Sequence, residues 1–187
     1  MTLSLKKIAQ TIFLAVLVAT VVHGSPNGAP RGACRSIYPH HGDAVSQDIE
    51  DSTYELDVSQ LENDGGYRPG KKYNLVLSGS EPFRGLLVQG RHGNTPVGKF
   101  TVLPRTPIKL SACTPPESAV THSNSAVKNN VQLQWTAPSK GTGDVIFHYA
   151  VVVEFDIFYA TMKTKIIKEW QEPAKQSPDQ DTRPATR

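Results

Sequence analysis

The chain has 187 residues, 20% charged and 38% hydrophobic, with a formal net charge of +3. That composition excludes a membrane-embedded protein and a fully disordered one, and the length suffices for one domain with a real core. Fourteen glycines and fourteen prolines favour many turns, which suits an all-β chain better than a helical one.

The first 24 residues read as a signal peptide. Lys6 and Lys7 supply the positive start, Ile8 to Val22 is mostly apolar, and Val22 and Gly24 are small enough for cleavage before Ser25. The apolar run is short for a spanning helix, which needs about 20 residues. Cleavage would remove two lysines and no acid, leaving 18 basic against 17 acidic residues, a net of +1. The expected product is secreted and extracellular, with no membrane span and no charge-driven membrane-lytic action.

Residues 25–33 are a Pro/Gly-rich leader, expected to be flexible up to Cys34. Cys34 and Cys113 are the two cysteines, 79 positions apart. An even pair in an oxidising compartment reads as a disulfide; two free thiols are the alternative. Closing a loop that long is worth at most about 4.5 kcal/mol on the chain-entropy account. Tyr38 to Gly42 is a turn, and residues 43–52 are a polar, acidic loop. Tyr54, Leu56 and Val58 alternate with Glu55 and Asp57, a half-buried strand closed by Asn63-Asp64-Gly65-Gly66.

Pro69-Gly70 starts the next unit with turn chemistry. Tyr73, Leu75 and Leu77 then alternate with Lys72, Asn74 and Ser78, and Gly79-Ser80-Glu81-Pro82 is expected to break that strand. Leu86-Leu87-Val88, between Gly85 and Gly90, predicts a more buried second strand. Residues 92–96 are an exposed loop, and Lys99 to Val102 a short strand. Pro104 and Pro107 restrict the next stretch of chain to irregular or edge structure. Ala119 to His122 is a further short strand. Val131, Leu133 and Trp135 give the cleanest alternation of all, with Trp135 buried and its N–H in need of a partner. From Val145 to Tyr159 every odd position is apolar. One straight strand of that length would be about 50 Å long, so a bend near Glu154 to Asp156 is expected. Thr161 to Glu169 predicts a last edge strand guarded by Lys163 and Lys165. Residues 171–187 lack large apolar side chains and read as a disordered tail. Seven to nine short strands without a convincing helix predict an antiparallel β-sandwich of the Ig-like kind.

One ordered set of residues goes further. Cys34, Pro39-His40-His41-Gly42, Tyr67-x-Pro69-Gly70, Leu77-Ser78-Gly79, Phe83-x-Gly85, Gln89-x-Arg91, Gly98-x-Phe100, Cys113, Ala119-Val120-Thr121-His122 and Trp135-x-Ala137-Pro138 resemble a reeler (reelin N-terminal) domain. The resemblance covers about residues 34–160, placing the domain at 34–170. A lone reeler domain behind a signal peptide is similar to the insect defence protein family. Leu86 stands where that family usually has an aromatic residue, Gly90 where it has alanine, and Tyr159 where it has tryptophan. The resemblance implies an extracellular role in innate immunity, with antimicrobial activity.

No P-loop, nucleophile elbow, His-Glu-x-x-His or dinucleotide fingerprint occurs, so no enzyme and no cofactor are expected. Reeler domains also occur joined to membrane ferric-reductase modules, whose haem-bearing helices have no counterpart here. His40, His41 and Asp43, with His122 as a distant third or fourth partner, are the only metal-ligand grouping. Adjacent histidines on an extended chain face opposite ways, so they read as surface or hydrogen-bonded residues and no metal is expected.

Charge is segregated along the chain. Residues 43–64 hold eight acids and no Lys or Arg; residues 68–109 hold eight bases (Arg68, Lys71, Lys72, Arg84, Arg91, Lys99, Arg105, Lys109) and the single acid Glu81. On one face, those bases would form an anion-binding patch for the phosphates of lipopolysaccharide or lipoteichoic acid. On paired strands, acids and bases would instead neutralise each other. No aromatic-plus-basic platform points to nucleic acid. The expected function is microbial-surface recognition in defence, with a host blood-cell surface as a further partner. The alternative is an extracellular adhesion or matrix module.

Overall fold

The computed structural model describes residues 25–172; the signal-peptide reading of residues 1–24 and nearly all of the expected disordered tail lie outside them. Two antiparallel sheets face each other. The first has the order β1 (Glu55–Asp57), β2 (Lys72–Phe83), β8 (Lys128–Thr136), β5 (Lys99–Thr101). The second has the order β10 (Phe158–Lys163), β9 (Ile146–Val152), β3 (Gly85–His92), β7 (Ala119–His122), β6 (Ile108–Leu110), with β4 (Thr95–Pro96) as a hairpin partner of β3. This is the all-β sandwich expected from the alternation.

The core lies between the sheets and is rich in aromatics. Tyr73, Leu75 and Leu77 of β2 pair with Trp135, Leu133 and Val131 of β8, so each period-two pattern puts its apolar set on one inner face. Trp135 is fully buried and packs edge-on against Phe147 at 5.0 Å. Its indole N–H donates to the Val97 carbonyl at 3.3 Å. Gly98, at φ +71°, lies directly against that indole, so any side chain there would meet both strain and the ring. No buried side-chain N or O among the described residues lacks a hydrogen-bond partner.

Several sequence expectations change. The Gly79–Pro82 stretch does not end its strand: β2 continues to Phe83, with the register to β8 shifting between Ser78 and Phe83. Pro82 has no N–H to give the ladder, and the ring of Tyr54 sits on Gly79, so the chain bulges and resumes pairing at Phe83 opposite Lys128. Val58 does not extend β1; it caps helix α2 (Ser59–Asn63), which tucks Leu61 into the core. Two further short turns of helix, α1 (Ala33–Ser36) and a 3₁₀ turn at Ile49–Asp51, occur where loop was expected. The last edge strand starts earlier and is shorter than expected, ending at Lys163. Beyond it only Ile167 and Glu169 make isolated bridges, to Val145 and Tyr67. The bend in the long alternating run falls where the length argument put it, between β9 and β10, with Val153 N–H donating to the Ile157 carbonyl at 2.9 Å.

The leader is built into the structure. The Ala29 N–H donates to Thr121 Oγ1 at 2.8 Å, and α1 packs Ala33 and Ile37 on Leu87, Ala119 and Ala150. These residues face away from the main core, so the six-stranded sheet is covered on both faces. Cys34 and Cys113 form the expected disulfide and bind this outer layer to the segment between β6 and β7.

Candidate functional site

The eight candidate basic residues do not assemble on one face. Asp64 takes Lys71 in a short ion pair and Arg68 at 3.9 Å; the Lys71 hydrogen bond holds the Asp64 carboxyl below its usual range. Arg84 pairs with Glu154 at 3.0 Å and Lys99 with Glu117 at 3.1 Å. Arg91 is buried, its Nε donating to Gln89 Oε1 at 2.7 Å and its Nη2 to the Cys34 carbonyl at 2.6 Å. Burial lowers its pKa, and its guanidinium fastens the disulfide segment to β3. Lys72, Arg105 and Lys109 are exposed and make no ion pair among the described residues. They sit on different pieces of chain: Lys72 opposite Thr136, Lys109 opposite Thr121, and Arg105 in a turn at φ +62°.

The histidines are also apart in role. His41 stacks on Phe155 at 4.8 Å, with its Nδ1 at 2.5 Å from the Phe155 carbonyl. His40 lies beside Tyr38. His122 is buried: Leu86 N–H donates to its Nδ1 at 3.2 Å, which leaves Nε2 to donate to the Ser25 carbonyl at 3.0 Å. Burial lowers its pKa first, and Lys128 and Lys109 nearby push the same way. It is therefore a neutral bolt between leader and sheet. Among the described residues no three His, Cys, Asp or Glu side chains gather as metal ligands would.

What sequence reasoning missed is a groove. Between the leader and the outer face of β3 and β9 lies a cavity of about 610 Å³, within the range of single-ligand pockets. Pro26, Ala29, Pro30, Ala33 and Ile37 form one wall; Leu87, Ala150 and Val152 form its floor; His41 and Phe155 of the β9–β10 bend close an end. The cause is residue size. The outward positions of the sheet carry alanine and glycine (Ala119, Ala150, Gly85) where the inward ones carry Phe147, Tyr149 and Val151. Small side chains facing a proline-rich strap cannot fill the gap. The only signal in the sequence was Ala150 interrupting an otherwise bulky stretch.

One ion pair stands at the rim. Arg84 and Glu154 are the only charged side chains lining the groove among the described residues. Both are roughly half exposed, at 42% and 53%, and a pair so solvated is worth only about 0–1 kcal/mol. The backbone under Arg84 is firmly held. Its N–H donates to the Val152 carbonyl at 2.8 Å, and its carbonyl accepts from Lys128 Nζ at 2.7 Å. The Lys128 ammonium is itself buried and also donates to Asn124 and Ala126 carbonyls at 2.9 and 2.6 Å.

Comparison with known proteins fits this fold. A family model described as the reeler domain matches residues 32–175. Putative defense protein 3 of Antheraea mylitta is 33% identical over 154 residues, covering 81% of this chain and 90% of the relative. Ferric-chelate reductase 1 of Mus musculus is 27% identical over 185 residues, but the chain spans only 30% of that protein's length. Among solved structures, the human F-spondin reeler domain superposes with a TM-score of 0.56 at 24% identity, covering 70% of this chain and 96% of that one.

Proposed function

The chain belongs to the reeler domain family, and from that premise we propose that it is a secreted defence protein that recognises microbial surface components. The observation that carries this is the length of the match: similarity to Putative defense protein 3 runs over 90% of that protein, whereas in the reductase the same region is under a third of the whole. No described helix is long and apolar enough to cross a membrane. The disulfide fits an oxidising compartment.

Recognition of phosphate-bearing polymers rests first on exposed Lys72, Arg105 and Lys109 and the loops around them, which have no acid to displace; Arg91 is buried, and Arg68, Lys71, Arg84 and Lys99 each have an acid at 3.9 Å or closer. Scattered cations give shallow, salt-sensitive binding. The test is retention of the secreted protein on bacterial envelopes, lipopolysaccharide and lipoteichoic acid across a salt series. Retention that weakens as salt rises but persists at physiological ionic strength is the expected result, reduced in a Lys72→Ala/Arg105→Ala/Lys109→Ala variant. No retention at any salt rejects the reading.

A further inference from the structure

We infer that the groove between the leader and strands β3 and β9 is a binding site for a single long-chain fatty carboxylate, with the alkyl chain along the apolar floor and the carboxylate on Arg84. The inference goes beyond the defence reading and stands without it.

Three observations point to this ligand. The first is shape and lining: about 610 Å³ walled by Pro26, Ala29, Ile37, Leu87, Val152 and Phe155. An alkyl chain needs no hydrogen bonds from its surroundings, and these side chains offer none. The groove's buried polar atoms, those of His122 among them, are already satisfied by protein partners. A polar ligand such as a sugar would have nothing to bond along the floor.

The second is the rim. A carboxylate already rests on Arg84, that of Glu154, with Nε to Oε1 at 3.0 Å. The geometry for an anionic head is therefore present in the molecule. Both partners are solvated, so Glu154 can swing to water at little cost and give way to a ligand carboxylate, which keeps the same charge-assisted bond. The Arg84 backbone is pinned on both sides, which keeps the base of the side chain at the rim. Glu154 belongs to the β9–β10 bend, where Phe155 is partly exposed.

The third is the local field. Lys128 lies directly behind Arg84, and Lys109 runs beside Gly28 of the leader. Neither lysine lines the groove, whose wall holds one cation, Arg84, and one acid, Glu154; both lysines act electrostatically on His122 of that wall and so add positive charge to a balanced rim. The surplus favours an anionic head over a cationic or neutral one.

The experiment uses the secreted full chain and the fluorescent fatty acid cis-parinarate. We expect saturable one-to-one binding, displaced by palmitate and about tenfold less well by hexadecanol, which has the chain without the charge. Arg84→Ala should weaken palmitate about tenfold, and Glu154→Gln, which frees Arg84, should tighten it several-fold. Val152→Trp places an indole over the groove floor and should abolish binding while the circular dichroism melt stays intact. Should that variant not fold, the two rim variants, both on exposed side chains, still decide the matter. Four outcomes overturn the inference: no saturable signal; equal displacement by hexadecanol; wild-type binding by folded Val152→Trp; or a dimer in sedimentation that excludes the probe. Parinarate binding without envelope retention sinks the defence reading alone, and the converse sinks the groove alone.

Discussion

The six-stranded sheet has two faces built by opposite means. Its inner face meets the other sheet through Phe147, Tyr149, Val151 and Val88, packed on Trp135, Tyr73 and Phe100. Its outer face meets only a strap of chain through Ala119, Ala150, Leu87 and Ile37, and leaves a groove. The inner layer is held by buried apolar area, which is non-directional and cooperative. The outer layer has too little of that area, and it relies on local devices. These are the Cys34–Cys113 bond, the Arg91 hydrogen bond to the Cys34 carbonyl, and the His122 bridge to Ser25. The groove lies where such fasteners replace packing.

Substitutions can separate the two layers. The largest effect belongs inside. Trp135→Ala leaves a cavity at the centre of both sheets and should cost about 3–5 kcal/mol, with unfolding in urea still a single transition seen by every probe. Next is Cys34→Ala with Cys113→Ala. Its cost, about 2–5 kcal/mol, should fall unevenly: amide exchange should rise first in residues 25–37 while β8 and β9 stay protected. Equal loss of protection in both layers would show that the layers are one cooperative unit. Lys128→Met comes third. It keeps the stem but strips the ammonium from three carbonyls, at about 1–3 kcal/mol, with the exchange increase centred on residues 84 and 124–126.

The last effect is a pH dependence, small near neutrality and growing with acid. Burial, with Arg91 and Lys163 adding repulsion, pulls the His148 pKa from 6.5 to about 4, and burial lowers that of His122. Above pH 6.5 both states hold these rings neutral and nothing is lost. As pH falls below 6.5 the unfolded chain takes up protons that the folded one refuses, so stability declines toward pH 4. Both rings lie on the outer side of the sheet. The decline should therefore appear in leader exchange before it appears in the Trp135 signal, and His148→Gln should flatten it. Simultaneous loss at both probes would again erase the distinction between layers.

Period-two alternation made the inner face legible. Val131, Leu133 and Trp135, and the odd positions from Val145 to Val151, announce which way they point because a strand has only two faces. The bend after Val152 followed from strand length, and the disulfide from compartment and count. The candidate site was another matter. The basic block looked like a patch because its members are close in sequence, yet β2, β3 and β6 carry them to separate places, one of them, Arg91, into the interior. Arg84 meets Glu154, seventy positions away, at a groove rim, and the groove itself exists because a proline-rich leader crosses small residues of two distant strands. Local spacing fixes the facing of each strand, since that depends only on backbone geometry. Which faces are covered, which charges meet and where space remains depend on pairings between remote segments, and those are decided only when the whole chain closes.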